Sequence, residues 1–116
     1  MPQFEQLLQA LDEPVFEMDA AGVVVYATQA LSAWTDRDSG YVFADSLAAA
    51  DRVRFQQTLQ RIVDGKTASA QLEISLADVD GTERPIELKL AANRREGSKT
   101  ATVVGWLRDL SMEKAR

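Results

Sequence analysis

A two-residue alternation of apolar and polar side chains in the second half of the chain constrains its fold most strongly. Residues 71–76 alternate in this way, and residues 86–91 repeat the pattern after a break at Asp80-Gly81. Successive side chains of a strand point to opposite faces, so each segment is predicted to be a strand with one buried face. Asp-Gly is a strong hairpin signal, and the two strands are therefore expected to pair antiparallel.

The next predicted strand, residues 100–107, is apolar on both faces. Val103 and Leu107 fall on one side, and Val104 and Trp106 fall on the other. A strand of this kind is covered on both faces, so one face is expected to meet the core and the other a short N-terminal helix or a second subunit. That helix is predicted because four apolar residues near the N-terminus recur at helical spacing. They are Phe4, Leu7, Leu8 and Leu11.

The first half of the chain has the pattern of a hairpin followed by helices. Residues 14–19 alternate, residues 19–22 have the residue order of a type I turn, and residues 23–26 are β-branched and aromatic. Thr28 is the predicted N-cap of a short helix through Trp34. A loop with at most one short turn is predicted over 35–44, and a longer helix from Asp45-Ser46 to a stop at Gly65.

The order of these elements predicts an α+β fold, with a five-stranded antiparallel sheet, helices on one face and an N-terminal helix. The length of 116 residues suits one domain, and 46% hydrophobic with 27% charged residues is typical of a globular one. No apolar run approaches the ~20 residues of a membrane span. The net charge of −5 argues against a nucleic-acid partner.

Cysteine and histidine are both absent from the sequence. Catalysis by a thiolate or by a serine–histidine pair is therefore excluded. Zinc and haem sites normally use Cys or His, so no metal site is expected. The lack of any possible disulfide fits a reducing, cytoplasmic compartment.

The C-terminal segment has the pattern of a strand that runs into a helix. Asp109 or Ser111 can accept a hydrogen bond from the first N–H groups of that helix. About one helical turn is unstable alone, so residues 111–116 are expected to begin a helix that continues in a longer parent chain or against a partner. A frayed tail is the alternative.

Four motifs resemble those of the PAS sensor family. Residues 15–26 are similar to its strand, D-x-x-G and strand opening, and Ala50-Asp51-Arg52 to a segment that opens one of its helices. Asp80-Gly81-Thr82 resembles its hairpin, and residues 105–111 match its G-x-x-x-D-[IL]-[ST] ending. The resemblance covers about residues 5 to 114. It implies one PAS domain over 1–116, with a flanking helix at 1–12, a core at 13–110 and the start of a linker helix at 111–116.

The resemblance implies a sensory or regulatory module of a bacterial signalling protein, and not an enzyme. The expected effector, in a longer parent chain, is a histidine kinase or a diguanylate cyclase, and the expected assembly is a homodimer. The family's haem, flavin–thiol and coumaroyl cofactors need His or Cys and are disfavoured here. Non-covalent flavin, fatty acids and small metabolites remain possible.

The resemblance also implies two sites. A ligand pocket is expected at six residues, which are Trp34, Phe43, Phe55, Leu59, Asn93 and Trp106. The alternatives are that the two tryptophans are ordinary core residues and that Asn93 is a turn residue. A signal-transmission junction is expected where Asp109 pairs with Arg84 and leads into Ser111. One departure bears on the pocket, because Ala27-Thr28 stands where the family usually has an Asn.

Two other functions remain open at this stage. The first is a dimerisation and docking domain without a ligand, whose interface would include the predicted N-terminal helix. The second is a small isomerase that uses a buried carboxylate, with Asp19 and Asp51 as candidates. Turn and cap chemistry also explains both of these residues.

Overall fold

A computed structural model describes residues 14–35, 37, 39–77, 81–93 and 102–111. Within them the strands and helices follow in the order β1 (Val15–Met18), β2 (Val24–Ala27), α1 (Gln29–Thr35), a 3-10 turn (Phe43–Ser46), α2 (Ala49–Val63), β3 (Ser69–Ala77), β4 (Glu83–Asn93) and β5 (Thr102–Asp109). The strands form one antiparallel sheet in the order β2-β1-β5-β4-β3. The predicted α+β fold and five-stranded sheet are confirmed.

Two predicted segments lie outside the described residues. One is the N-terminal helix, including all four of its apolar residues, and the other is the linker start from residue 112 onward. The predicted helix and its contacts therefore stay predictions.

Strand β5 lies at the centre of the sheet, between β1 and β4. Val103 and Leu107 of β5 are buried on the face that carries the helices. Val104 and Trp106 alternate with them and point to the outer face, where Trp106 is 36% exposed. Strand β5 therefore presents apolar side chains on both faces of the sheet.

The core is built around three phenylalanine rings. The Phe16 ring of β1 stacks on Phe43 with 4.3 Å between ring centroids, and Phe43 meets Phe55 of α2 at 5.3 Å. All three side chains are buried, and Leu59 lies in the same cluster. Gly105 of β5 lets the Phe16 ring lie against the sheet, because a Cβ there would stand 2.4 Å from Phe16 Cζ.

Helix α2 begins at Ala49, so the predicted start at Asp45-Ser46 was wrong. Residues 43–46 form the 3-10 turn instead, and Leu47 then makes an isolated bridge to Leu76 of β3. The Ala48 N–H donates to the Ser75 carbonyl at 3.0 Å. These long-range pairings with β3 hold residues 47 and 48 in an extended conformation, so the helix begins only at Ala49.

Thr28 occupies the predicted N-cap position of α1, directly before Gln29, and it also bonds to β1. The Thr28 carbonyl accepts from the N–H groups of Leu31 and Ser32, while its Oγ1 accepts from the Val15 N–H at 3.1 Å. The Thr28 N–H in turn donates to the Val15 carbonyl at 2.9 Å. This residue therefore joins the start of α1 to β1 through both backbone groups of Val15.

Candidate functional site

The ends of β4 and β5 bring together the three residues predicted for the junction. The Arg84 guanidinium, at the start of β4, lies 3.4 Å from Asp109 Oδ2 at the end of β5. The other oxygen, Asp109 Oδ1, accepts a hydrogen bond from the Ser111 N–H at 2.7 Å. Next in the chain, the Leu110 N–H donates to the Pro85 carbonyl at 2.9 Å, and the Leu110 side chain is buried. One carboxylate thus links the sheet to the residue where the chain leaves it.

The electrostatics of this junction favour a charged Asp109. Partial burial raises the pKa of Asp109, but hydrogen bonds from the Ser111 side chain and backbone and the positive charge of Arg84 outweigh it. The pKa therefore lies below its usual value of 3.8. The carboxylate is ionised at neutral pH and can accept from both partners at once.

Trp34 belongs to this junction, a contact that the sequence prediction did not include. The Arg84 guanidinium lies over the Trp34 ring with 4.6 Å to the ring centroid, within the range of a cation–π contact. Trp34 stands in the last turn of α1. Helix α1, strand β4 and the end of β5 therefore meet at one arginine.

Among the cavities lined by described residues, none contains all six residues predicted for a ligand pocket. Phe43, Phe55 and Leu59 pack inside the core. Trp34 and Trp106 both line a surface groove of about 320 Å³, together with Pro14, Glu87, Lys89, Leu107, Arg108 and Asp109. Asn93 is the last residue of β4 and pairs with Thr102, so the alternative of a turn residue was wrong. Its amide donates to Glu17 Oε2 on the outer face at 2.9 Å.

Glu87 is a residue of the groove that the sequence analysis missed. The alternation in β4 places it on the polar outer face, yet only 9% of it is exposed. Its carboxylate accepts from Gln71 Nε2 at 2.8 Å and from Arg108 Nη2 at 3.4 Å, and it lies 3.9 Å from Lys89 Nζ. Its polar partners come from three different strands, so no local pattern in the sequence marks it.

Both carboxylates considered for an isomerase have structural partners. Asp19 Oδ1 accepts from the N–H groups of Ala21 and Val23 in the β1–β2 turn, at 2.9 and 3.0 Å. Asp51 Oδ2 accepts from the Ser75 N–H of β3 at 2.9 Å. The turn role of Asp19 is the one that the alternative explanation predicted, whereas Asp51 bonds to the β3 backbone and was expected to cap a helix.

In the part of the chain that the structure describes, no group of carboxylates could hold a metal ion. None of the helices found there is long and apolar enough to cross a membrane.

The fold and the sequence both match known proteins. A family model described as PAS fold matches residues 8–115. The chain belongs to the PAS family. A comparison with curated proteins finds no match.

Several solved structures resemble this domain closely in shape and weakly in sequence. The PAS domain of a Colwellia psychrerythraea protein superposes with a TM-score of 0.81 at 14% identity, covering 96% of this chain and 97% of that one. A sensory box histidine kinase/response regulator from Burkholderia thailandensis gives 0.69 at 15% identity, covering 97% and 88%. The VqmA dimer of Vibrio cholerae, described among LuxR-type receptors, gives 0.75 at 19%, covering 97% and 52%. At these identities the likeness shows the fold.

Proposed function

We propose that this PAS domain is a regulatory module of a longer signalling protein and that its output leaves through Asp109 and Ser111. The observation that carries the proposal is the double role of Asp109, which contacts Arg84 with one oxygen and accepts from the Ser111 N–H with the other. This arrangement fixes the direction in which the chain departs from the sheet. A helix that continues from Ser111 would transmit any change at the carboxylate to an effector.

A histidine kinase is the favoured effector, and a diguanylate cyclase is the alternative. The likeness to a sensory box histidine kinase supports the first choice. A bacterial source and a cytoplasmic location stay predictions. So does the use of Phe4, Leu7, Leu8 and Leu11 in a homodimer interface.

The test of this output is the activity of a histidine-kinase core joined in helical register after Arg116. Asp109→Asn keeps the size of the side chain but removes its charge, so it is expected to change kinase activity while the domain stays folded. Asp45→Asn, an exposed aspartate of the 3-10 turn, is the matched control. Unchanged kinase activity in Asp109→Asn would refute the proposed output.

A second candidate function is a docking or dimerisation domain without a ligand. The packing of Phe16, Phe43 and Phe55 supports it, since aromatic rings fill the space between the sheet and α2. The exposed Trp106 on the outer face offers a partner an aromatic contact of the kind that is enriched in interfaces.

Native mass spectrometry of the protein purified from cells distinguishes ligand sensing from docking without a ligand. A mass excess that disappears on denaturation would identify a bound small molecule and support ligand sensing. A dimer of unmodified mass would support docking. Asn93 and the core residues would then have structural roles, and only Trp34 and Trp106 would remain at the surface groove.

A further inference from the structure

Arg84 contacts two elements that are far apart in the sequence. Its guanidinium lies over the Trp34 ring of α1 at 4.6 Å from the centroid and 3.4 Å from the Asp109 carboxylate of β5. The two contacts are compatible within one group, because a planar guanidinium can contact an aromatic ring with its face and a carboxylate with its N–H groups. Arg84 can therefore hold both partners at once.

The contact with Trp34 limits where the guanidinium can go. The Arg84 and Asp109 side chains are 28% and 38% exposed, and an ion pair this open holds its geometry weakly by itself. An arginine side chain also loses considerable rotamer freedom when it is fixed. A cation–π contact with the indole already restricts the rotamers of Arg84, so less freedom remains to be lost when it pairs with Asp109. The position of Trp34 thus decides how well Arg84 reaches Asp109.

Trp34 is itself carried by a helix that is fixed at its other end. The Thr28 Oγ1 and N–H bond to Val15 of β1 at 3.1 and 2.9 Å, and Leu31 of α1 is buried in the core. Trp34 lies in the last turn, which faces the end of β5. A tilt of this short helix about its start would move the indole relative to β4.

We propose that Trp34 is a positioning residue for the junction: its ring places the Arg84 guanidinium against Asp109, so that a displacement of α1 reaches the hydrogen bond between Asp109 and Ser111. This inference rests on the proposed function, in which that junction carries the output. It means that a partner or ligand could act on the junction by contacting α1, and not only by contacting the outer face of the sheet. The physical link between Trp34 and Ser111 exists whether or not an effector follows.

The test uses NMR of the 116-residue chain and needs no effector. The Ser111 amide shift reports its hydrogen bond to Asp109, and a titration of the Asp109 carboxyl carbon reports the nearness of Arg84. Trp34→Leu is expected to move the Ser111 amide toward its position in Asp109→Asn and to raise the pKa of Asp109 toward 3.8. Trp34→Phe keeps an aromatic face and is expected to stay near the wild type in both readings.

Trp106→Phe is the matched control, because it changes the other tryptophan of the groove and leaves the ring over Arg84 in place. If Trp34→Leu fails to fold, Arg84→Lys tests the link from the other side. Lysine keeps the charge but lacks the planar group, so the pKa of Asp109 is again expected to rise.

Two results would overturn this inference. One is a Trp34→Leu variant with wild-type Ser111 amide shift and Asp109 pKa, in a chain where Asp109→Asn does move the amide. The other, if Trp34→Leu is unfolded, is an Arg84→Lys variant with both readings unchanged. Neither result touches the proposed output, which fails only if Asp109→Asn leaves the attached kinase unchanged.

Discussion

At the scale of single residues, Gly105 shows how one missing side chain shapes the core. The Phe16 ring occupies the space where a Cβ of residue 105 would stand, at 2.4 Å from Cζ and 2.6 Å from Cε1. The ring cannot retreat easily, because its other face stacks on Phe43. The glycine is needed here for close approach and not for an unusual backbone angle.

Gly105→Ala is therefore expected to destabilise the domain by about 1–3 kcal/mol, the usual cost of overpacking a filled core. Urea denaturation followed by circular dichroism measures the loss. Gly81→Ala is the control, since no atom lies within 4 Å of its Cβ position and only its φ of +86° resists the change. Equal stability of Gly105→Ala and wild type would show that the Phe16 ring has room to move.

The carboxyl of Asp109 carries a prediction about pH at the same scale. Its pKa is lowered in the folded domain, so its contribution to stability is present above about 3.8 and is lost as the pH falls through the lower, folded value. The carboxyl carbon of Asp109 is expected to titrate below 3.8, and Arg84→Gln is expected to raise the midpoint. A midpoint at or above 3.8 in the wild type would contradict the contacts of this carboxylate with Ser111 and Arg84.

At the scale of elements, polar side chains tie helices to strand backbones. Asp51 of α2 accepts from the Ser75 N–H of β3, and Arg54 of the same helix donates to the Glu73 carbonyl. Strand β3 lies at the edge of the sheet, where unpaired backbone groups invite other chains to pair. Helix α2 thus occupies several of these edge groups. Thr28 makes the equivalent connection between α1 and β1.

Thr28→Val is expected to destabilise the domain by about 1–3 kcal/mol, because it leaves the Val15 N–H without its acceptor in a buried setting. Thr28→Ser keeps the hydroxyl and is expected to retain most of the stability. Hydrogen exchange of the Val15 amide measures the local effect, and faster exchange is expected in Thr28→Val alone. Slow exchange in Thr28→Val would mean that the hydroxyl does not hold this amide.

At the scale of the whole molecule, the packing of Phe16, Phe43 and Phe55 occupies the space between the sheet and α2. Phe43 lies between Phe16 of the sheet and Phe55 of α2, and all three are buried. We expect this packing to leave a ligand little room beside the rings. A signal would then act at the surface, where Trp34 and Trp106 line the groove next to the junction.

Phe43→Ala is expected to cost about 3–5 kcal/mol, since it removes a ring with neighbours on both faces and leaves a cavity. Thermal denaturation measures this loss, with Val25→Ala as a control at a residue that is 51% exposed. The variant is also expected to bind small apolar aromatic compounds that the wild type does not bind. A cost below about 1 kcal/mol would instead indicate an interior with space to collapse or to hold a ligand.

The element types of the described residues, the strand pattern and the family could be predicted from the order of the amino acids. These depend on local periodicity and on turn residues: the alternation of β3 and β4 and the two-sided apolar pattern of β5 follow directly from the order of the side chains. The Arg84–Asp109 contact was also predictable, because the family resemblance places these residues at the ends of neighbouring strands.

The grouping of side chains into sites could be read from the three-dimensional structure alone. It separated the six expected pocket residues into core, groove and outer face, brought Trp34 to Arg84, and buried Glu87 among partners from three strands. It also joined the Thr28 hydroxyl to β1 and placed the start of α2 at Ala49. Each of these outcomes depends on contacts between residues that are distant in the chain. Such contacts can override the local preferences of a segment, and packing decides which of the two prevails.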